Sequence, residues 1–352
     1  MIPGPTEIEP DILNIGAEPL PYMRTSAFSE RLRRVQRGLQ YIFETSSPVV
    51  VQTSSGTGAM SAAVQNFIAP GDEVLVLNGG TFGARWVEIA RCCGAVVHEI
   101  KIPFGQSPSL LQIRETLQNN TSISALFTTL NETSSGAWTD LSGIGEILLN
   151  FPHVLYVVDC VSGLLVEPMK MDTWGIDIAI SASQKALALP PGLSFLAASI
   201  KAVKRAERLA VRPYYFDILI AMDNLHRGQT PYTPAVGIIA QLEKRLQKIM
   251  ATGLPAYRQH YTQLTEQLRH GLATLGFYPV AKNPANCVTA INTGNYDAYQ
   301  IVRKMAETYH IELAPSGGEL RSKMFRVCNF GHITKNDISF FCHALRKTLQ
   351  TI

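Results

Sequence analysis

A single lysine, Lys185, stands among small and apolar residues, after the apolar stretch 176–180 and before a Pro-Pro-Gly sequence at 190–192. A lysine amine in such a poorly solvated place has a lowered pKa, and its neutral form can act as a nucleophile. Taken alone, this lysine is more simply a surface residue in a loop that follows a strand. The upstream sequence reverses that interpretation, because Asp159 ends the hydrophobic run 154–158, one strand–helix–strand step before Lys185.

A carboxylate at the buried end of a strand, followed by an activated lysine, is the pair that a pyridoxal phosphate site requires. The lysine forms a Schiff base with the cofactor, and the aspartate keeps the pyridine nitrogen protonated so that the ring acts as an electron sink. The pair therefore predicts pyridoxal 5'-phosphate as the cofactor, with Lys185 and Asp159 as the catalytic residues.

The turn at 53–58 is a second candidate site, and it carries Ser55, Gly56 and Thr57 between the strand 49–52 and a helix of small residues. Free N–H groups at the start of that helix, together with the helix dipole, favour a phosphate group. A dinucleotide fingerprint requires a third glycine where Ser61 stands, so that match is poor. The turn favours the phosphate of pyridoxal phosphate, and a nucleotide-binding protein without catalysis is the alternative.

The segments 159–163, 175–177, 183–187 and 190–192 resemble the class V aminotransferases, and within them the alanine–glyoxylate and serine–pyruvate aminotransferase branch. The resemblance runs over nearly the whole chain. It implies a fold type I transferase of the α/β class, with a mainly parallel seven-stranded sheet in a large domain and a smaller α+β C-terminal domain. It also implies ping-pong amino transfer from an alanine- or serine-type donor to glyoxylate or pyruvate, in a homodimer with shared active sites.

The resemblance also implies which residues contact the cofactor. Phe82 lies in a Gly-x-Phe-Gly-x-Arg context and would stack on the pyridine ring. Thr133 would hydrogen-bond near the 3'-oxygen of the cofactor or Asp159. Gln184 precedes the lysine in the matching segment and is expected among the cofactor contacts. Thr230, with Thr233 as the alternative, would reach the cofactor phosphate of the neighbouring subunit.

The resemblance also implies two residues that contact the substrate. Gly4 belongs to a Pro-Gly-Pro-Thr sequence that is similar to the family's opening motif over the substrate pocket. Arg326 lies on an apolar strand, where an unpaired charge is costly, so it needs either an internal carboxylate or the carboxylate of the substrate. The guanidinium fork fits a carboxylate, and the resemblance favours the substrate. Met23 replaces the histidine of the family's His-Arg pair, which points to altered substrate contacts.

Length and composition predict the organisation of the chain. The 352 residues suit one large and one small domain. Because only 17% of the residues are charged, much of the chain must be buried in parallel strands or in a subunit interface. We expect an extended N-terminal arm over the active site at 1–13, a cofactor-binding domain at 14–252 and a C-terminal domain at 253–352.

The net charge and the cysteine and histidine content argue against several classes of partner and site. A net charge of +3 gives no reason to expect nucleic acid or a membrane as a partner. The six cysteines show no paired spacing, and no signal peptide is evident, so we expect reduced thiols and a cytoplasmic protein. The eight histidines show no metal-ligand spacing. A lyase, a desulfurase or a specialised biosynthetic enzyme of the same fold is a further alternative. A desulfurase needs a cysteine on a mobile loop, however, and Cys328 falls on a predicted strand.

Overall fold

The computed structural model describes residues 1–352. Its helices are α1 (Pro10–Ile15), α2 (Ser26–Phe43), α3 (Gly56–Phe67), α4 (Thr81–Cys92), α5 (Leu110–Asn119), α6 (Leu141–Leu148), α7 (Ile200–Glu207), α8 (Ile218–His226), α9 (Val236–Thr252), α10 (Leu254–Ala273), α11 (Ala298–Tyr309) and α12 (Lys335–Leu349). Its strands are β1 (Val49–Gln52), β2 (Glu73–Asn78), β3 (Val96–Lys101), β4 (Ile123–Thr129), β5 (Asn131–Glu132), β6 (Ala137–Trp138), β7 (Leu155–Asp159), β8 (Ile178–Ala182), β9 (Ser194–Ala198), β10 (Val288–Asn292), β11 (Ala314–Pro315) and β12 (Met324–Cys328).

The main sheet has seven strands in the order β1-β9-β8-β7-β4-β2-β3. All neighbouring strands are parallel except β9, which pairs antiparallel with both β8 and β1. The predicted mainly parallel seven-stranded sheet is therefore confirmed. Strands β7, β8 and β9 are buried along their whole length, as expected for strands covered by helices on both faces.

Two apolar clusters lie on opposite faces of this sheet. Side chains alternate between the faces of a strand, so Leu126 belongs to the larger cluster while its neighbours Ala125 and Phe127 belong to the smaller one. The larger cluster also contains residues of the C-terminal helices α10, α11 and α12. Both faces of the sheet are therefore covered by apolar side chains.

The C-terminal part contains the three-stranded antiparallel sheet β10-β12-β11 and helices α10 to α12. The predicted domain boundary falls at Gly253, which has a φ of +84° and separates α9 from α10. Helix α9 packs against α2, whereas α10 packs against α12. No helix combines the length and apolar character needed to cross a membrane.

The sequence prediction of an extended arm at 1–13 is wrong for its last residues, because α1 begins at Pro10. Proline is accepted in the first turn of a helix, and Ile12 is fully buried in the large cluster. Helix α8 was also not predicted. Its first turn is capped by the carboxylate of Asp217, which accepts hydrogen bonds from the backbone N–H groups of Leu219 and Ile220.

Candidate active site

Turns at the carboxyl ends of the large-sheet strands form one cleft, the place where ligands bind in open α/β sheets. The cleft has a volume of about 510 Å³. Eight of the sequence-predicted site residues line it, and five further residues complete the wall. The thirteen lining residues are Ser55, Gly56, Thr57, Met60, Phe82, Arg85, Asn131, Thr133, Asp159, Val161, Ser162, Gln184 and Lys185.

Asp159 is the last residue of β7, and only 6% of its surface is exposed. Its Oδ1 accepts a hydrogen bond from the backbone N–H of Val161 at 2.8 Å. Burial, together with a smaller effect of the Glu132 carboxylate, raises the pKa of this carboxyl to about 6. The Val161 N–H and the nearby positive charges of Lys185 and Arg85 act in the opposite direction. The cleft thus holds a buried carboxylate whose charged form would be stabilised by a positively charged partner.

Lys185 lies in the turn after β8, and its Nζ donates a hydrogen bond to the carbonyl oxygen of Pro3. Burial lowers the pKa of the amine, although the carboxylate of Asp159 opposes that shift. Gly4 lies directly against this turn with a φ of +111°, and a Cβ added there would be 2.7 Å from the carbonyl oxygen of Gln184. The N-terminal segment therefore covers the lysine, and a side chain at position 4 would not fit.

The turn after β1 presents a helix start to the same cleft. Ser55 caps α3, and its side chain accepts a hydrogen bond from the N–H of Gly58 at 3.3 Å. A Cβ added at Gly56 would lie 3.0 Å from Val161 Cγ2, so a larger residue would crowd the turn. Thr57 Oγ1 accepts a hydrogen bond from Arg85 Nη1 at 3.1 Å. Helix dipole, free N–H groups and a guanidinium all favour an anion here.

The remaining polar groups fit a pyridoxal phosphate molecule. Asn131 is 4% exposed, and neither its amide nitrogen nor its amide oxygen has a hydrogen-bond partner. Gln184 Oε1 is also buried without a partner. Since an unsatisfied buried polar group costs about 1–3 kcal/mol, these atoms indicate a polar ligand. An anion site, a buried carboxylate and a buried amine in one cleft match the phosphate, the ring nitrogen and the reactive carbonyl of this cofactor.

Phe82 and Thr133 are both held by residues that the sequence did not single out. The carboxylate of Glu132 accepts hydrogen bonds from the backbone N–H groups of Phe82 and Gly83, each at 3.1 Å. Thr133 Oγ1 lies 2.7 Å from the hydroxyl of Ser162, which provides a partner other than Asp159. The sequence signal for Glu132 is its place in a polar segment directly after a buried strand.

Arg326 lies on β12 outside this cleft wall. Its Nη1 donates to the carbonyl of Thr133 at 3.3 Å and its Nη2 donates to the carbonyl of Pro315 at 3.2 Å. None of the ion pairs of the chain includes Arg326, and its Nε is buried without a partner. The internal salt bridge that the sequence left open is thus absent.

Thr230 does not reach the cleft of its own chain. Its Oγ1 donates to the carbonyl of Tyr232 at 2.8 Å, and its carbonyl accepts from Arg24 Nη1 at 3.0 Å. It lines a separate depression together with Thr233 and Tyr215. Of the two threonines, Thr230 is buried and Thr233 is exposed.

Comparison with known proteins agrees with a pyridoxal phosphate site in this cleft. The family described as Aminotransferase class-V matches residues 22–334. The chain is 30% identical to the L-aspartate–glyoxylate aminotransferase of Paracoccus denitrificans over 95% of this chain and 86% of that protein. It is 32% identical to a soluble hydrogenase 42 kDa subunit of Anabaena cylindrica over 96% of this chain and 89% of that protein. The solved alanine–glyoxylate aminotransferase from Nostoc sp. superposes with a TM-score of 0.94 at 28% identity, covering 99% and 94% of the two chains.

Proposed function

The chain belongs to the class V aminotransferase family and is a pyridoxal phosphate-dependent aminotransferase of fold type I, and we propose that it moves an amino group from a small amino acid to glyoxylate or pyruvate. The observation that carries this proposal is the buried pair of Lys185 and Asp159 beside the helix start at 55–57 in one cleft. This donor set suits amino transfer, and it favours that activity over the hydrogenase activity in the name of one relative.

We assign the cofactor contacts as follows. The N–H groups at 55–57 and the side chains of Ser55 and Thr57 would hold the phosphate. Asp159 would pair with the ring nitrogen, and Phe82 would face the ring. Thr133 and Gln184 would hold the polar substituents. When it is bound, the cofactor supplies the electron sink that makes the α-proton of the amino acid removable.

The protein groups then have separate tasks. The Lys185 amine would hold the cofactor at rest and, once free, its Nζ would take the α-proton of the amino acid as a general base. Its lowered pKa favours the neutral form that this step requires. Asp159 would keep its negative charge beside the ring nitrogen throughout. The donor would leave as a 2-oxo acid whose carbonyl oxygen comes from water, and its amino group would stay with the cofactor until the acceptor 2-oxo acid enters and takes it up with release of water.

Arg326 binds the carboxylate of the amino acid in this proposal. Its guanidinium has two carbonyl partners and no carboxylate partner, so its positive charge is not neutralised within the chain. A substrate carboxylate would add the missing charge in a bidentate geometry. Gly4 brings the backbone of the N-terminal segment against Lys185 and so closes the substrate side of the cleft.

We further propose a homodimer in which Thr230 of one subunit contacts the cofactor phosphate of the other. Thr230 is buried in its own chain but lies outside the Lys185 cleft, so a contact with a cofactor requires a second chain. A fully active monomer in size-exclusion chromatography would contradict this. The six free cysteines support a cytoplasmic location.

The desulfurase alternative finds no support at Cys328. This thiol lies on β12, is 1% exposed, and burial raises its pKa to about 12. The thiolate that such chemistry needs is therefore strongly disfavoured. Release of sulfide from added cysteine would overturn this conclusion.

The test of the proposed function is an absorbance scan of the holoenzyme with single substrates. We expect the visible band of the bound cofactor to bleach on addition of alanine or serine and to return on addition of glyoxylate or pyruvate. Aspartate is the third donor to compare, because the name of one relative includes it. The Lys185→Ala variant is the control and should not complete this cycle. A band that no amino acid changes would refute the proposed substrate class, and the lack of any band after incubation with pyridoxal phosphate would refute the cofactor site.

A further inference from the structure

Arg85 lies in the second turn of α4 and faces the cofactor cleft. Its Nη1 donates to Thr57 Oγ1 at 3.1 Å, and its Cζ lies 4.9 Å from the centroid of the Phe82 ring. The guanidinium is therefore held between the anion-binding turn and the aromatic side chain. Neither contact neutralises its charge.

The charge of Arg85 has no carboxylate partner within the chain. It is part of none of the ion pairs, whereas Arg91, two turns further along the same helix, lies 3.6 Å from a carboxylate oxygen of Glu99. The acid nearest to the start of α4 is Glu132, and its oxygens accept hydrogen bonds from the N–H groups of Phe82 and Gly83. These bonds fix the first turn of the helix that carries Arg85.

The cleft otherwise has little positive charge for a phosphate. Apart from Arg85, Lys185 is the one basic residue among its lining residues, and its amine is directed to the carbonyl of Pro3. A helix start contributes only about half a positive charge, whereas a phosphate monoester carries between about one and a half and two negative charges near pH 7. A guanidinium at Thr57 would supply most of the difference and can donate two parallel hydrogen bonds.

We propose that Arg85, acting together with Thr57, recognises the cofactor phosphate through its positive charge. Arg85 thereby sets the preference of the apoenzyme for pyridoxal phosphate over unphosphorylated pyridoxal. The inference rests on the proposed function, because it uses the same cleft. An independent sign that this cleft takes a polar ligand is Asn131, whose buried amide has no partner within the chain.

The test measures binding to the apoenzyme rather than activity. Affinities for pyridoxal phosphate and for pyridoxal are measured by absorbance titration for the wild type and for Arg85→Gln, Arg85→Lys and Arg91→Gln. Arg91→Gln is the matched control, since it removes the same charge from an exposed position on the same helix. Inorganic phosphate is the third probe, and its competition with pyridoxal phosphate is measured for each protein.

We expect Arg85→Gln to weaken pyridoxal phosphate binding about tenfold to a hundredfold, as for the loss of a charged hydrogen bond, and to change pyridoxal binding by less than about threefold. The affinity of Arg85→Lys for pyridoxal phosphate should lie between those of the wild type and Arg85→Gln. The affinity of Arg91→Gln should match that of the wild type. Inorganic phosphate should compete poorly in Arg85→Gln. If Arg85→Gln does not fold, Arg85→Met decides, because an uncharged methionine that left both the selectivity and the phosphate competition unchanged would contradict recognition by charge.

Two other outcomes separate this inference from the proposed function. Equal losses for the two compounds in Arg85→Gln would mean that Arg85 acts through the Phe82 ring, and the inference would be wrong while the cofactor site stands. A wild-type apoenzyme that binds pyridoxal as tightly as pyridoxal phosphate would refute the anion site at 55–57 itself.

Discussion

The replacement Asp159→Asn should make the cofactor-free protein more stable at pH 8, although it removes a residue on which activity depends. Asp159 is almost completely buried, and burial raises its pKa from the ordinary value of 3.8 to about 6. The ionised form that dominates at pH 8 is therefore unfavourable in the folded chain. Asparagine keeps the oxygen that accepts the Val161 N–H at 2.8 Å and removes the charge.

The magnitude follows from linkage between protonation and folding. A carboxyl whose pKa is raised on folding stabilises the folded state fully below its unfolded pKa, and this contribution is lost as the pH rises through the folded pKa. A shift from 3.8 to about 6 corresponds to about 3 kcal/mol. The stability difference between the Asp159→Asn variant and the wild type should therefore be small near pH 4, grow between pH 4 and 6, and stay constant above pH 6.

The assay is urea-induced unfolding of the apoenzyme at several pH values between 4.5 and 8, followed by the same series with pyridoxal phosphate. Asp177→Asn is the control, because Asp177 is equally buried but forms an ion pair with Lys201 at 2.8 Å. That variant should be less stable than the wild type. Addition of the cofactor should stabilise the wild type more than Asp159→Asn, since only the carboxylate pairs with a protonated ring nitrogen.

An Asp159→Asn apoenzyme that is less stable than the wild type by the same amount at every pH would refute this reasoning. It would mean that the positive charges of Lys185 and Arg85 outweigh the cost of burying the carboxylate. A cofactor effect that is equal in both proteins would instead refute the assignment of Asp159 to the ring nitrogen.

Two further predictions concern the substrate side of the cleft. Arg326→Gln should lower kcat/KM for the amino donor about tenfold to a hundredfold, through the loss of charged hydrogen bonds, while the absorbance of the bound cofactor stays unchanged; a changed cofactor spectrum would contradict a role limited to the substrate. Gly4→Ala should reduce activity because its Cβ would lie 2.7 Å from the carbonyl of Gln184, whereas Gly71→Ala, at a similar positive φ with open space around it, should affect stability alone. Steady-state kinetics and thermal melts of both glycine variants check this, and equal activity losses would show that the contact at Gly4 is not decisive.

The sequence was sufficient to locate the residues that follow directly from strand ends. Asp159 ends a continuous apolar run, Lys185 follows the next one, and Ser55 to Thr57 stand between a strand and a helix. Because parallel strands place their carboxyl ends on one edge of a sheet, these turns had to meet once the strands were recognised as parallel. The helix that the sequence predicted between Asp159 and the next strand is absent, because β7 and β8 are joined by turns alone. The antiparallel β9 was also predictable, since the connection at 183–193 is too short for a crossover helix and contains the Pro-Pro-Gly sequence.

Contacts between distant segments were not predictable from the sequence. The hydrogen bonds of Glu132 to the start of α4 join residues about fifty positions apart, and their existence depends on how β4 lies beside β2. The pairing of Arg85 with Thr57 has the same origin. Helix α8 was missed because its nine residues carry a weak pattern, and it is fixed by burial of Ile218 and Met222 against the sheet.

Burial has opposite effects on the two catalytic candidates, and the two effects serve different needs. It lowers the pKa of Lys185, which favours the neutral amine required of a nucleophile and general base. It raises the pKa of Asp159 only to about 6, so the carboxylate is still charged at neutral pH and can pair with a positive ring nitrogen. Deeper burial without the Val161 N–H and the nearby positive charges would raise that pKa further and discharge the aspartate. The cleft must therefore be apolar enough for the lysine yet polar enough for the aspartate, and the Val161 N–H and the positive charges of Lys185 and Arg85 supply that polarity.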